Sequence, residues 1–177
     1  MDTERKVGFA PVFDKDSRVL ILGSFPSVKS REIDFYYGHK QNRFWKMLCG
    51  YFGEEIPTDT DGKRAFLKRN KIALWDMVTS CEIQGSADAT VKNAETADLT
   101  MIFKVARLEK ILLNGTLSYD LFVKSYGDIS IPFEKMPSTS PANPRYDENT
   151  WSRALDAVFR TTKPRVCGGG KTREKTI

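Results

Sequence analysis

The sequence predicts a single α/β domain built on a mainly parallel, four-stranded central sheet flanked by helices. Three observations predict it. Four strand-length apolar runs recur at wide spacing, Val19 to Leu22, Ile72 to Trp75, Ile111 to Leu113 and a weaker Ile131 to Phe133. The segments between them place apolar residues with helical period. A length of 177 residues, 40% of them hydrophobic, suits one core of moderate size and leaves no room for a second full domain.

Taken in chain order, the residues before Arg18 carry no clear period. The first run, Val19 to Leu22, is followed by a helix whose stripe is Phe44, Trp45, Leu48, Tyr51 and Phe52. Gly53 to Gly62 reads as a surface loop opening into a helix around Ala65 to Lys68. After the Ile72 run comes a helical stripe of Leu99, Ile102, Phe103 and Ala106, and after the Ile111 run another of Leu117, Leu121 and Phe122. A last helix carries Trp151, Ala154, Leu155, Val158 and Phe159 on one face, with Asp147 placed to cap it. Continuously apolar strands joined by crossover helices imply a parallel sheet covered on both faces. Such sheets bind ligands at the carboxyl ends of their strands, so function is expected just after each run.

Composition narrows the function classes. No basic-then-apolar leader and no apolar run near about 18 residues occurs, which reads as a cytoplasmic protein without a membrane span. The formal charge is +5, but Lys163, Arg165, Lys171, Arg173 and Lys175 against Glu174 put +4 of it in residues 161–177. Residues 1–160 are therefore nearly neutral, and any nucleic-acid site has to be argued from local residues rather than from overall basicity. The three cysteines, Cys49, Cys81 and Cys167, form no CxxC pair, and His39 is the only histidine. A structural zinc or iron–sulfur site is not expected, and no metal is assigned.

The segments after the four runs share a chemistry: Gly23-Ser24-Phe25-Pro26-Ser27, then Asp76 to Ser80, then Asn114-Gly115-Thr116, then Met136-Pro137-Ser138-Thr139-Ser140-Pro141-Ala142-Asn143. Small residues, prolines and hydroxyls suit rigid loops that present backbone N–H groups and short donors to phosphates. Any one of them alone is an ordinary turn. The richest stretch is Phe35 to Trp45, where aromatics alternate with polar groups. Phe44 and Trp45 belong to the core stripe of the following helix, whereas Tyr36, Tyr37, His39 and Asn42 are candidates to stack on an unpaired base and hold it.

These residues, in this order, resemble the uracil-DNA glycosylase superfamily over about Arg18 to Phe159. Tyr37-Gly38-His39-Lys40-Gln41-Asn42-Arg43-Phe44-Trp45 is similar to the mismatch-specific branch. Phe25 in the first motif and Ser138-Thr139-Ser140-Pro141 in the last are similar to the hypoxanthine-DNA glycosylase branch. The resemblance implies a DNA glycosylase domain, set at residues 1–160, while the basic composition of 161–177, rich in Gly and Thr, reads as a disordered tail. It implies a partner, double-stranded DNA containing a deaminated base, and neither cofactor nor metal; a monomer without an obligate protein partner is expected. The superfamily commonly carries Asp or Asn where this chain has Phe25, and a phenyl ring cannot orient water. The pattern of the hypoxanthine branch implies that the catalytic amide comes from the downstream segment, at Asn42, with His39 beside it. The resemblance further implies base contacts from Ser24, Phe25, Tyr37 as the stacking aromatic, and Asp76. Contacts to DNA are implied for Ser27, for Asn114, Gly115 and Thr116 as a phosphate grip, and for Pro137, Ser138, Thr139, Ser140 and Pro141 as a minor-groove loop.

The chemistry that follows is excision by water. The nucleotide is rotated out of the duplex, at lower cost for a deaminated, weakly paired base. Hypoxanthine offers N1–H as a donor, and an ionised Asp76 would accept from it while rejecting adenine, which lacks that proton. Asn42 would orient the water through its amide oxygen toward an oxocarbenium-like sugar. Lys40 and Lys46 raise a Schiff-base alternative, which nothing in their surroundings favours. Two other readings stay open: excision of uracil opposite guanine, and a damage-binding module that does not cleave. A nucleotide-binding domain is disfavoured because neither GxGxxG nor a Walker loop occurs.

Overall fold

The computed structural model describes residues 4–160; the tail expected over 161–177, with Cys167, lies outside the described residues. The elements follow as β1 (Arg5–Val7), β2 (Val19–Gly23), α1 (Val28–Ile33), α2 (Phe44–Phe52), α3 (Thr60–Arg69), β3 (Ile72–Asp76) and β4 (Val78–Glu82). Then come β5 (Lys92–Thr96), α4 (Thr100–Phe103), β6 (Lys110–Asn114), α5 (Thr116–Tyr126), β7 (Phe133–Met136) and α6 (Glu148–Phe159).

The apolar runs become one four-stranded sheet in the order β3-β2-β6-β7, parallel at every pairing. Strands β2, β3 and most of β6 are buried, the edge strand β7 only in part, and helices cover the sheet: α3 packs on β3, α5 on β6 and β7, and α2 meets α6. Val19 to Leu22, Ile72 to Leu74 and Ile111 to Leu113 are each fully enclosed. Each Val, Leu or Ile among them contributes about 1.5–3 kcal/mol by leaving water. The three tryptophans bury their rings and use their indole N–H groups to hold loops. Trp45 donates to the Tyr36 carbonyl, Trp75 to that of Phe9 and Trp151 to that of Pro137, each at 2.9 Å.

Several expected elements are displaced, for local reasons. The last strand is Phe133–Met136 rather than Ile131 to Phe133, since Pro132 has no N–H and supplies only its carbonyl, to Ile111. Helix α3 begins at Thr60, inside the expected loop, because Asp59 accepts from the Gly62 N–H at 2.6 Å and caps it. The stripe around Leu99 yields the single turn of α4. A second sheet, β1-β4-β5, is antiparallel and was not expected; its strand β4 occupies most of the segment read as a loop after Asp76. Helix α1 was not expected either; Ser27 caps it by accepting from the Ser30 N–H at 3.1 Å. Among the described residues no helix is long and apolar enough to cross a membrane.

Candidate active site

The parallel register brings the carboxyl ends of the strands to one level. Gly23 lies beside Asp76 across β2 and β3, Leu22 beside Leu113 across β2 and β6, and Asn114 beside Met136 across β6 and β7. The chain leaves β2 toward β3 on one side and returns at β6 on the other, so the strand order reverses between β2 and β6. A crevice opens at such a point, and here it is a cleft of about 920 Å³.

The cleft gathers most of the residues singled out above. Ser24, Phe25, Ser27, Tyr37, His39 and Asn42 line it from the amino-terminal half of the chain. Asn114, Gly115 and Thr116 line its floor, Ser138, Thr139, Ser140 and Pro141 its far wall, and Asp76 the wall opposite. Pro137 is not part of it. That residue lines an adjoining groove of about 330 Å³ together with Lys135 and Arg145, and Gly115, Thr116 and Ser138 border both.

Tyr37 stands where the floor meets the wall. Its backbone is left-handed at φ 54°, a strained conformation for a residue with a Cβ, costing about 1 kcal/mol. The strain is held by its ring, stacked on Phe44 at 4.1 Å between centroids, and by its hydroxyl, which accepts from Asn114 Nδ2 at 3.1 Å. Burial pushes that phenol well above the usual tyrosine range, with the charge of Asp76 adding to the effect. Gly23 makes room for the arrangement. A Cβ there would lie 2.3 Å from Asp76 Oδ1 and 2.8 Å from the Tyr37 hydroxyl oxygen.

Asn42 precedes α2, and its Oδ1 accepts from the Phe44 N–H at 2.9 Å. An amide oxygen has two lone pairs, so one remains for water. His39 accepts at Nδ1 from the Gln41 N–H at 3.1 Å, which leaves the proton of its neutral ring on Nε2. Both side chains are half-buried at the cleft.

Two residues expected at the DNA surface turn inward instead. Asn114 is buried and its amide is committed: Nδ2 donates to the Tyr37 hydroxyl and to Thr139 Oγ1 at 3.0 Å, while Oδ1 accepts from the Thr139 N–H at 3.0 Å. Thr139 is fully enclosed. The pair is a brace between the floor and the far wall, because the loop that leaves β7 carries Thr139 onto the Asn114 amide at the end of β6; both side chains are committed to that contact. Arg43, which sequence reasoning passed over, completes the brace. Its guanidinium donates to the carbonyls of Ser140 at 2.7 Å and Asn143 at 3.0 Å, and lies 4.4 Å from the Tyr146 ring centroid. Gly115, with φ 97°, starts α5 without a side-chain cap, so the first N–H groups of that helix face the border of the cleft and the groove.

The opposite wall is acidic. Asp76 is 4% exposed, and its Oδ2 is buried with no hydrogen-bond partner. The expected acceptance from N1–H, with rejection of adenine, holds only if this carboxyl is ionised. Burial, and secondarily the charge of Asp88, push it up to about 7, so acid and carboxylate coexist near neutrality. Asp88 is itself a lining residue that the sequence did not reveal. It opens the 3₁₀ turn Asp88–Thr90 between β4 and β5, and Ser24 Oγ donates to its Oδ1 at 2.8 Å. Burial raises the Asp88 carboxyl above the ordinary range, and the Ser24 hydrogen bond partly offsets this. The available signal was the Gly85-Ser86 turn followed by an acid, but nothing in the exposed β5 sequence said that the turn folds back over the first motif. Phe25 packs against Val78, Cys81 and Ile83 and shows the cleft a small part of its ring. None of the residues lining the cleft is Lys or Arg. Among the described residues no group of three or more His, Cys, Asp and Glu side chains is placed to hold a metal ion.

The sequence and the fold are similar to those of known proteins. Residues 10–165 match the uracil DNA glycosylase superfamily. A hypoxanthine DNA glycosylase of Methanosarcina barkeri (strain Fusaro / DSM 804) is 35% identical over 127 residues, covering 70% of this chain and 80% of that protein. A hypoxanthine DNA glycosylase of Methanosarcina acetivorans is 33% identical over 159 residues, 88% of this chain and 98% of the relative. The chain is also similar to a solution NMR structure from Methanosarcina acetivorans, described as a candidate uracil DNA glycosylase. That match has a TM-score of 0.73 at 32% identity and covers 89% of this chain and 98% of the other.

Proposed function

The chain belongs to the uracil DNA glycosylase superfamily, and from that premise we propose that it is a hypoxanthine-DNA glycosylase: it flips a deaminated base out of the duplex and hydrolyses the N-glycosidic bond, leaving an abasic site. The observation that carries this reading is the cleft, in which an aromatic ring, a half-buried amide and a buried carboxyl without a partner line one cavity at the strand ends.

In this reading the extracted base enters beside Tyr37, whose ring is held rigid by Phe44 and Asn114. Asp76 meets the N1–H and O6 edge of hypoxanthine, and Ser24 and Phe25 close over the base. As the glycosidic bond lengthens, positive charge grows on the sugar and negative charge on the base. Asn42 orients water toward the anomeric carbon with the lone pair that the Phe44 N–H leaves free. His39 borders the same space. Ser27, Gly115, the backbone N–H group of Thr116, and the Ser138, Ser140 and Pro141 wall contact the DNA strand. Lys40 and Lys46 are exposed and neither lines the cleft, which supports attack by water over a Schiff base. The enzyme is expected to work as a monomer, associated with DNA in the cytoplasm and engaging one nucleotide per cycle.

The test is single-turnover incubation of end-labelled duplexes carrying one hypoxanthine, one uracil or only normal bases, followed by alkali to cut at abasic sites. Cleavage at hypoxanthine that collapses in Asn42→Ala is the expected result. Release of uracil alone would move the chain to the mismatch-type branch, and binding without release would make it a damage-binding module.

A further inference from the structure

Asp88 has no role in the reading above, yet it lines the cleft with Asp76. Asp76 is buried, and Asp88, exposed at the rim, lines the same cleft and is tied through Ser24 to the residue after Gly23, the strand partner of Asp76. Ionising a buried acid beside a second carboxylate is costly unless a cation compensates it, and no Lys or Arg lines this cleft. The remaining titratable groups there are His39 at its border, the Tyr37 hydroxyl on its floor with that of Tyr36 behind it, and Asp120 on α5. Asp88 is anchored by the Ser24 hydroxyl, which favours its charged form. Asp76 has no such help, since its Oδ2 is buried and unpartnered. Of the two acids, Asp76 is therefore the one to keep a proton.

Resting on the glycosylase reading, we propose that Asp88 is a positioning residue that holds Asp76 protonated, so that the base meets a neutral carboxylic acid. The acid O–H donates to the exocyclic carbonyl oxygen of the base, and its C=O accepts from the adjacent ring N–H. This pairing matches the lactam edge of hypoxanthine at both points, which a carboxylate cannot do because it has no proton to offer O6.

The chemistry gives the proton a second use. When the C1′–N9 bond breaks, the electron pair leaves with the base and part of the charge reaches O6. A carboxylate against that oxygen would repel the leaving group, whereas an O–H donor stabilises it more in the transition state than in the ground state. Water then bonds to C1′, and the proton it loses is matched, through solvent, by the one the departed base takes up. Asp76 keeps its own proton throughout. The acid form also fits N1 and the amino group of adenine, so rejection of adenine shifts to the cost of extracting a fully paired base.

The experiment follows single-turnover excision from a hypoxanthine duplex between pH 5 and pH 9.5, with wild type, Asp88→Asn and Asp76→Asn. Asp88→Asn is nearly isosteric and still accepts from Ser24. The wild-type rate should be level at the acid end and fall by about tenfold per pH unit above the Asp76 midpoint. In Asp88→Asn that falling limb should move about one unit toward acid pH, with duplex affinity little changed. Asp76→Asn offers an N–H and a C=O as the neutral acid does. It should still release base, at a reduced rate, and lose the falling limb altogether. A limb that stays in place in Asp88→Asn, a rate that rises with pH through 7, or an Asp76→Asn protein that folds and binds duplex but releases no base would overturn the proposal. Carbon-13 titration of the Asp76 carboxyl in free wild type and Asp88→Asn reads the proton without any reaction. A lower midpoint in the variant is expected, and equal midpoints would overturn the coupling. If wild type releases no base at any pH, the glycosylase reading itself fails, whatever that titration shows.

Discussion

The two walls of the cleft use hydrogen bonds in opposite ways. On the far wall Asn114, Thr139 and Arg43 tie the floor, the Ser138 to Asn143 loop and the start of α2 into one braced unit. On the acidic wall Asp76 leaves an oxygen without a partner, and Asp88 rests on a single hydroxyl. A cavity needs both kinds of surface: walls whose donors and acceptors are satisfied internally keep their shape, and unsatisfied groups wait for something to enter.

The largest expected effect sits between the walls. Asn42→Ala should lower single-turnover excision by about 10² to 10³. Loss of its bond to the Phe44 N–H should cost only about 1 kcal/mol of stability. Thermal melting separates the two effects; a rate loss that merely tracks unfolding would remove Asn42 from the chemistry. Next comes the braced wall. Asn114→Ala deletes three hydrogen bonds and leaves the Tyr37 hydroxyl and the Thr139 N–H without partners, which should destabilise the fold by about 2–4 kcal/mol. Urea unfolding measures this, and a loss under about 0.5 kcal/mol would mean that the brace is dispensable.

The acidic wall should respond with the opposite sign. The folded-state pKa of Asp76 is raised from 3.8 to about 7. Below about pH 4 the carboxyl is protonated in both folded and unfolded chains and contributes nothing. As pH rises toward 7 the unfolded chain ionises freely while the folded one resists, so stability is lost across that window and stays lost above it. Asp76→Asn should therefore raise Tm by several degrees at pH 8, a gain that vanishes below about pH 4. Equal gains at both ends would contradict the assigned burial of charge. The smallest effect belongs away from both walls. Glu95→Ala removes an exposed ion pair with Arg5 and should change stability by under about 1 kcal/mol.

The contrast also marks what could be read from the chain alone. The central sheet was legible because parallel strands buried on both faces are written as uninterrupted apolar runs, and Val19 to Leu22 or Ile111 to Leu113 carries that signal without context. Strand β5 carries none. All five of its residues are exposed, and it exists only because β4 offers it a bonding edge. The same gap hid Asp88, which reaches the cleft through the β4 and β5 pairing rather than through a strand of the central sheet. Asn114 and Thr139, expected to contact DNA, line the cleft with their side chains bonded to each other. Position after a strand says that a residue is near the site, but only the packed structure says whether its amide points at solvent or at a neighbour.

The tryptophans also give the molecule a built-in optical gauge. Trp45 grips the Tyr36 carbonyl, one residue from the ring proposed to stack on the base, and Trp151 grips the Pro137 carbonyl at the foot of the far wall. Each indole sits in the core and reports the polarity around its N–H. A flipped nucleotide that levers Tyr37 outward would redden the emission of Trp45, and movement of the far wall would do the same for Trp151. With one indole replaced at a time, stopped-flow fluorescence could time the arrival of the base at each side of the cleft separately.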